Sequence, residues 1–542
     1  MMLSLMMNPR LGAKRWVTLA LALIAPFLAG PARAAQTVAP LGSPGFRPTP
    51  EQPVGWRGDG TGRYPGATPP LAWERTKSAG GYVTKNIRWM TPLPNVGVGT
   101  PIIVGDRIFV TTEVADLVCL EKETGRIRWI RSQAEFEGLP EAERKANPAV
   151  EAKLTALLAR LAEVNTEVVE VLNAQAPRAQ TNLPAPPPEA LTRKRALEKE
   201  IYDQQLAMDR KKFERYWGQA VFGFAGQTPT SDGTRVCAFF TTGVTVCYDA
   251  EGRRQWIHRG RGGGSEHGNF ASPLLRANRL VVWANELRGY DLASGQVLWT
   301  HPETGQNTYG SLLGVRVGQE WVAAFQSGYF ARLSDGQPIW GERVFGDSVT
   351  TPIVEGDLMF AVVGYPRNND ESKGCRAFRI PTNTAAATPP ALAFHLRTEW
   401  AEDEIPVDKQ KSPFNRGYVA SPLYVEGLIY RMTQGAGLVV NDARTGELVY
   451  RQVLPMKPRT QYWDWAGAAA SPTLAGGSIY LMDNQGTTVI LQPGKQYRQV
   501  AVNRLEESKD GKAQVQNVST PIFEGTRMYY HTPGFLYCIG EK

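Results

Sequence analysis

The stretch LEKETGRIRW, residues 120–129, sets a glycine four positions before a tryptophan, and the chain writes this phrase again and again. It returns as YDAEGRRQW (248–256), YDLASGQVLW (290–299), RLSDGQPIW (332–340) and NDARTGELVY (441–450). The pairs are Gly125 with Trp129, Gly252 with Trp256, Gly295 with Trp299, Gly336 with Trp340, and Gly446 with Tyr450. Glycine accepts positive φ without a Cβ clash, which suits it to a tight turn between two strands. The aromatic then falls on the following strand, where a large flat side chain covers the gap to a neighbouring sheet. Trp89, in TKNIRW (84–89), belongs to the same set of docking aromatics.

A second phrase precedes each turn: TPIIVGDRIFV (100–110), TPTSDGTRVCAFF (228–240), SPLLRANRLVVW (272–283), SLLGVRVGQEWVAAF (311–325), TPIVEGDLMFAVV (351–363), SPLYVEGLIYRM (421–432), SPTLAGGSIYLM (471–482) and TPIFEGTRMYY (520–530). Each reads as a short apolar strand, a polar turn and a second β-branched or aromatic strand. A third strand and the Gly-to-aromatic phrase complete four strands. Four short strands in each of eight units specify an all-β fold, an eight-bladed β-propeller. The eighth unit stops at CIGEK (538–542), before a fourth strand. TKNIRW matches TGRIRW (124–129), so residues 84–93 are expected to supply the missing outer strand, with Trp89 beside Tyr537. Such a closure removes exposed sheet edges. Two units depart from the pattern: Arg498 stands where a tryptophan is expected, and PTNTAAATPPA (381–391) is inserted ahead of the outer strand LAFHLRTEW (392–400).

Composition agrees with this reading. Hydrophobic residues make up 42% of the 542, enough for a large core, while 54 Gly and 39 Pro imply many turns. Residues 1–34 read as a signal peptide, with Arg10, Lys14 and Arg15 before the apolar run VTLALALIAPFLAG and Ala32-Arg33-Ala34 at the cleavage point. A membrane anchor is the competing reading, but the run is short of the ~20 apolar residues a span needs and contains Pro26. No cysteine stands near the cleavage point to take a lipid. The expected location is therefore periplasmic or secreted. Removing the leader takes away four cations, Arg10, Lys14, Arg15 and Arg33, and no acid, which reduces the formal charge from +8 to +4. That is too little to argue for nucleic acid. The five cysteines lack zinc or haem spacing. Cys119, Cys247 and Cys538 recur at one place in three units and read as small buried residues. Cys237 and Cys247 face each other across a hairpin and are either free or disulfide-bonded.

Two segments stand outside the repeat. Residues 35–80 are rich in Pro and Gly and are expected to wrap the surface as a coil before the closing strand and first blade (81–132). Residues 133–217 read as a helical hairpin inserted ahead of the remaining blades (218–542). Val150, Leu154, Leu157, Leu161, Val164, Val168 and Val171 form a heptad seam, NLPAPPPEA (182–190) breaks the helix, and a second helix carries Leu197, Ile201 and Met208. The hairpin is either an intramolecular antiparallel pair or an arm that docks a partner. Because it enters through a loop of the propeller's open face, it is expected to stand as a wall or lid beside the central funnel.

The repeated Gly turn and docking tryptophan resemble the quinoprotein (PQQ-type) eight-bladed propellers. GWRGDGTGRYPGATPPLAW (55–73) likewise looks like the leader segment of exported bacterial members. The resemblance covers residues 55–542 apart from the hairpin. It implies one of two activities. Some members are dehydrogenases that hold pyrroloquinoline quinone and calcium over the central channel. Others, BamB-like, carry no cofactor and act through protein contacts. The adjacent cysteine pair on which many dehydrogenases stack the quinone is absent, as is the CxxCH of a fused cytochrome. The expectation is thus an exported, non-catalytic scaffold with no catalytic residue, metal or cofactor, partnered by another envelope protein. The alternative is a PQQ-dependent oxidoreductase with calcium.

The loops ahead of each TP or SP would open on one face and ring a funnel mouth. They contribute Glu266, His267 and Asn269, then Tyr309, Asp347, Arg416 and Tyr418, and lastly Trp463, Asp464 and Trp465, as candidate ligand-binding residues. The competing reading packs the two tryptophans between blades and leaves the charges solvated. RGRGGGSEHG (259–268) is glycine-rich but lacks the Lys-Ser/Thr and helix of a phosphate loop. Arg57-Gly58-Asp59 is an adhesion-like tripeptide best explained by chance in a Gly-rich coil.

Overall fold

Every repeat of the second phrase followed by the Gly turn builds one four-stranded antiparallel sheet. The computed structural model describes residues 39–541 apart from 182–186, 216–222, 264–268, 302–308, 341–343, 347, 363–373, 386–387, 399–412, 416, 460–466 and 508–516. Among these residues the strands form eight sheets, seven of them four-stranded, and the fold is of propeller type. The first sheet joins Ile102–Val104, Arg107–Thr112, Asp116–Glu121 and Ile127–Ser132. The eighth joins Ile522–Glu524, Arg527–Thr532 and Phe535–Ile539 to Ile87–Pro92 from the other end of the chain. In that last pairing Tyr537 lies opposite Met90, and Cys538 opposite Trp89.

Two contacts explain the repeated phrases. Each docking tryptophan lies against the glycine of the next sheet, not of its own. A Cβ on Gly125 would come 2.5 Å from the Trp89 ring, one on Gly295 2.5 Å from Trp256, and one on Gly336 2.4 Å from Trp299. The indoles then donate into the same turns: Trp89 to the Lys122 carbonyl (3.3 Å), Trp256 to Leu292 (3.0 Å) and Trp299 to Leu333 (3.2 Å). Trp129 covers Gly252 in the same way, Trp340 donates to Ala385, and the half-buried Tyr450 lies beside Tyr497. Across the sheet the tryptophans face small residues: Cys119 opposite Trp129, Cys247 opposite Trp256, Gly289 opposite Trp299. Cys119, Cys247 and Cys538 are fully buried there. Cys237 and Cys247, paired across their strands with Cα atoms 4.1 Å apart, are joined as a disulfide.

The Ser or Thr that opens each first strand links consecutive sheets. Its hydroxyl accepts the backbone N–H of the equivalent residue in the preceding sheet: Thr228 to Ser272 (3.0 Å), Ser272 to Ser311 (3.1 Å), Thr351 to Ser421 (3.0 Å) and Ser421 to Ser471 (3.0 Å). Thr520 of the eighth sheet donates likewise to Thr100 of the first (3.3 Å). Buried N–H groups at strand starts need such partners. The proline that usually follows has no N–H to satisfy.

The N-terminal residues depart from the expected surface coil. Arg63–Tyr64 pairs in parallel with Thr473–Ala475, the first strand of the seventh sheet. Glu74–Ser78 and Gly81–Lys85 extend that same sheet beyond its outer strand, Gln499–Leu505, so residues 81–85 belong to the seventh sheet and not the first. Trp73 also repairs the seventh unit's missing tryptophan. It stacks on Tyr480 (6.3 Å), as Trp89 lies against Tyr529 (6.0 Å) and Trp129 against Phe109 (5.8 Å). Tyr480, Tyr529 and Phe109 hold the same place, each opposite the residue that starts its sheet's first strand.

The insertion forms helices Pro148–Ala179 and Glu189–Met208. Leu154, Leu157, Leu161, Val164 and Val168 are buried, and then Leu172 in place of the half-buried Val171. A straight helix drifts off a seven-residue repeat in that direction. The long helix packs on the outer strands Ile87–Pro92 and Ile127–Ser132. The hairpin therefore covers the rim of the eighth and first sheets and is not a lid over the loop mouth.

Candidate functional site

Residues 39–68 run along the first strands of several sheets. Val54 and Ser231 exchange backbone hydrogen bonds (2.9 and 2.8 Å). Gly42 accepts from Gly525 (2.7 Å), which in turn accepts from Thr68 (2.7 Å). Arg63 pairs with Glu355 at 2.9 Å. Arg57 is fully buried and donates to the carbonyls of Pro422 (2.8 Å) and Pro472 (2.5 Å) in the sixth and seventh sheets. Gly62 lies over its guanidinium so closely that a Cβ would be 2.3 Å from Nη2. Burial pushes Arg57 down to about 10, which still leaves it charged at neutral pH. The voids beside the segment amount to about 30 and 40 Å³, room for one or two waters. Arg57-Gly58-Asp59 thus holds an interior anchor, and an adhesion role would need an exposed arginine.

Of the loop-mouth candidates, Glu266, His267, Asp347, Arg416, Trp463, Asp464 and Trp465 lie outside the described residues. Asn269 is buried, and its carbonyl accepts from Gln227. Tyr309 is half-buried, its N–H bonded to Gln326 Oε1 (3.1 Å). Tyr418 is only 1% exposed and accepts from the buried Arg431 (2.9 Å), whose guanidinium also binds Asn441 (2.9 Å). Tyr418 is therefore a core residue between the fifth and sixth sheets and does not line an open mouth.

Two buried titratable side chains went unnoticed in the sequence. Glu113 follows the second strand of the first sheet. Its Oε1 accepts from the N–H groups of Phe224 (2.6 Å) and Ala225 (2.7 Å). Burial raises its pKa to about 7 despite these bonds and nearby Arg215. His531 lies within the second strand of the eighth sheet, Arg527–Thr532. Its Nδ1 donates to Gly99 O (2.7 Å), and burial pushes it down to about 4. Neither carries a local motif, because their partners come from distant loops.

The base of the hairpin is fixed by buried ions. Lys194, 2% exposed at its side chain, pairs with Asp116 (2.9 Å) and with Glu198. Burial opposes the charge on Lys194, but the two carboxylates outweigh it and raise its pKa. Burial lifts Glu198 to about 7. Glu135 binds Arg215 (3.1 Å) and Arg259 (3.2 Å). Asn173 accepts from Ile127 N–H (2.8 Å) and donates to Ile127 O (2.9 Å), closing the strand edge as another strand would. Arg75 of the N-terminal segment donates to the carbonyls of Ala179 (3.2 Å) and Gln180 (3.2 Å), capping the long helix.

The residues do not fit a quinone platform of the cysteine type. The Cys237–Cys247 pair is fully buried across two strands of one sheet and presents no ring to an open face. Among the described residues no group of three or more His, Cys, Asp or Glu is placed to hold a metal ion, and no helix is long and apolar enough to cross a membrane.

A family profile described as outer membrane protein assembly factor BamB matches residues 78–195, 167–361 and 285–542. The crystal structure of BamB from Moraxella catarrhalis is similar at 13% identity, over 58% of this chain and 81% of that one, with a TM-score of 0.38. The computationally designed Ika8 protein is similar at 12% identity, over 57% and 93%, with a TM-score of 0.34. Comparison with curated proteins finds no match.

Proposed function

This chain belongs to the family described as outer membrane protein assembly factor BamB, and on that premise we propose that it is an exported, non-catalytic scaffold that binds another protein at the cell envelope. In this reading the eight sheets are the blades of a closed ring, with Ile87–Pro92 zipped onto Phe535–Ile539. Residues 1–34 are its removed leader. The observation that carries the proposal is Arg57, which bonds the carbonyls that precede the first strands of two sheets; in this reading it and the segment around it fill the centre of the ring. In a cofactor-dependent propeller the centre is where the reactive group sits. Here it is given over to the chain itself, which leaves rim, arm and loops for contact with a partner.

Two measurements on the full chain test this. Crosslinking in intact cells is expected to trap the chain, cleaved after Ala34, with a protein of the envelope. Recovery of the chain in the cytoplasm, or free of any protein partner, overturns the proposal. Purified protein mixed with PQQ and calcium is expected to show no rise in Tm and no dye-linked alcohol oxidation. Stabilisation with turnover would move the chain to the dehydrogenase class.

A further inference from the structure

The hairpin does more than cover the rim: it leaves a groove. Between helix Pro148–Ala179 and the outer part of the first and second sheets lies a cavity of about 490 Å³. That is within the ~300–1,000 Å³ typical of ligand sites, and more than ten times the voids beside the central segment. Leu158, Leu161 and Ala162 supply an apolar wall from the helix, and Ile130 another from the strand.

Two polar side chains among the lining residues have bonding capacity unspent. Asn165 is 5% exposed, and its Oδ1 has no partner among the described residues. Its orientation is fixed by chemistry. Ser132 gives its one hydroxyl proton to Asp116 (2.6 Å), so its oxygen can only accept, and the amide nitrogen of Asn165 donates to it (3.0 Å). The amide oxygen is thereby turned away from Ser132 and is buried from solvent. On the opposite lip Arg131 spends Nε on Gly252 O (2.9 Å) and Nη1 on Ile130 O (3.2 Å), while Trp129 lies under its guanidinium (5.3 Å). Its Nη2 has no hydrogen-bond partner among the described residues. The one acid of the lining, Glu137, is already paired with Arg254 (2.6 Å).

An apolar wall beside an uncompensated guanidinium forms one recognition pattern. We propose that the groove binds an extended peptide segment of another protein, one that carries a large apolar side chain beside an acidic residue. The apolar side chain lies on Leu158, Leu161 and Ala162, and the carboxylate meets Arg131. The charge complementarity selects the acid. This rests on the scaffold reading and names the place where a partner is held.

The test is fluorescence anisotropy with the full chain and a set of labelled dodecapeptides. Each carries a central Leu or Phe with Asp or Glu within two residues. Control peptides replace the acid by Lys or the apolar residue by Ala. Acid-and-apolar peptides are expected to bind at least about tenfold more tightly than either control. Ala162→Trp and Thr166→Trp, both at exposed positions of the groove wall, are expected to weaken binding by a similar factor with Tm unchanged. Absence of binding, absence of the acid preference, or full binding by both tryptophan variants overturns the groove. In the last case peptides still bind elsewhere, and the scaffold reading survives. If the peptides obey the groove while envelope crosslinking traps no protein, the scaffold reading fails on its own.

Discussion

Gly295 answers to two constraints, and substitutions separate them. Its φ of +71° disfavours any Cβ, and Trp256 of the preceding sheet occupies the space a Cβ would need. Gly105 has a φ of +64° with nothing within 4 Å. Gly105→Ala is expected to cost about 1 kcal/mol, the backbone term alone. Gly295→Ala should cost about 3 kcal/mol, because the clash adds to it; equal losses in chemical denaturation would refute the docking role. The spacing inside each phrase made the glycine and the tryptophan legible, but the tryptophan's partner lies in the next phrase, which spacing cannot reveal. Glu113 was wholly illegible for the same kind of reason. Its carboxyl loses its proton near pH 4.5 when unfolded and near 7 when folded, so stability falls as pH rises through that window. The cost above pH 7 is on the order of 3 kcal/mol. Glu113→Gln keeps both backbone bonds, since both go to Oε1. Its Tm should exceed that of the parent at pH 8 and match it near pH 4.5; a difference independent of pH would sink the assignment. His531 has the opposite slope, its contribution present above pH 6.5 and lost as pH falls toward 4.

At the level of elements, the helical insertion was readable because its apolar residues follow a heptad, and its break because prolines interrupt it. Its placement was not readable. Position in the chain gave only the loop of entry, whereas the docking is set by Asn165, Asn173 and Lys194, polar residues that look like solvated helix surface until the strand edge beside them is known. Lys194 carries the sharpest prediction. Lys194→Met leaves Asp116, itself fully buried, without its cation, and about 3–5 kcal/mol should be lost. Adding Asp116→Leu should restore most of it, since a buried ion pair replaced by apolar residues is close to neutral. A double variant as unstable as the single one would show that the pair is not the source of the effect. The unusual seventh unit is instructive in the same way. Arg498 signalled that a tryptophan was missing, but only the fold reveals that Trp73 supplies it from far upstream.

For the whole molecule, the four-stranded repeat was legible because glycine, aromatic and Ser/Thr-Pro recur in fixed order, and so was the pairing of TKNIRW with the last strand of the chain. The course of residues 39–68 was not. Pro and Gly exclude regular structure without saying where an irregular segment lies, and Arg57 looks like any surface arginine. Deleting residues 84–93 should abolish the cooperative melt by removing the partner of Phe535–Ile539; an unchanged transition would speak against closure. The same pairing has a bearing on biosynthesis. The strand Ile87–Pro92 leaves the ribosome long before Phe535–Ile539 exists, and Arg57 waits as long for Pro422 and Pro472. Native structure of this kind cannot accumulate vectorially from the first residue onward. The eighth sheet must stay open until synthesis ends, so the contacts that join the two ends of the chain form last.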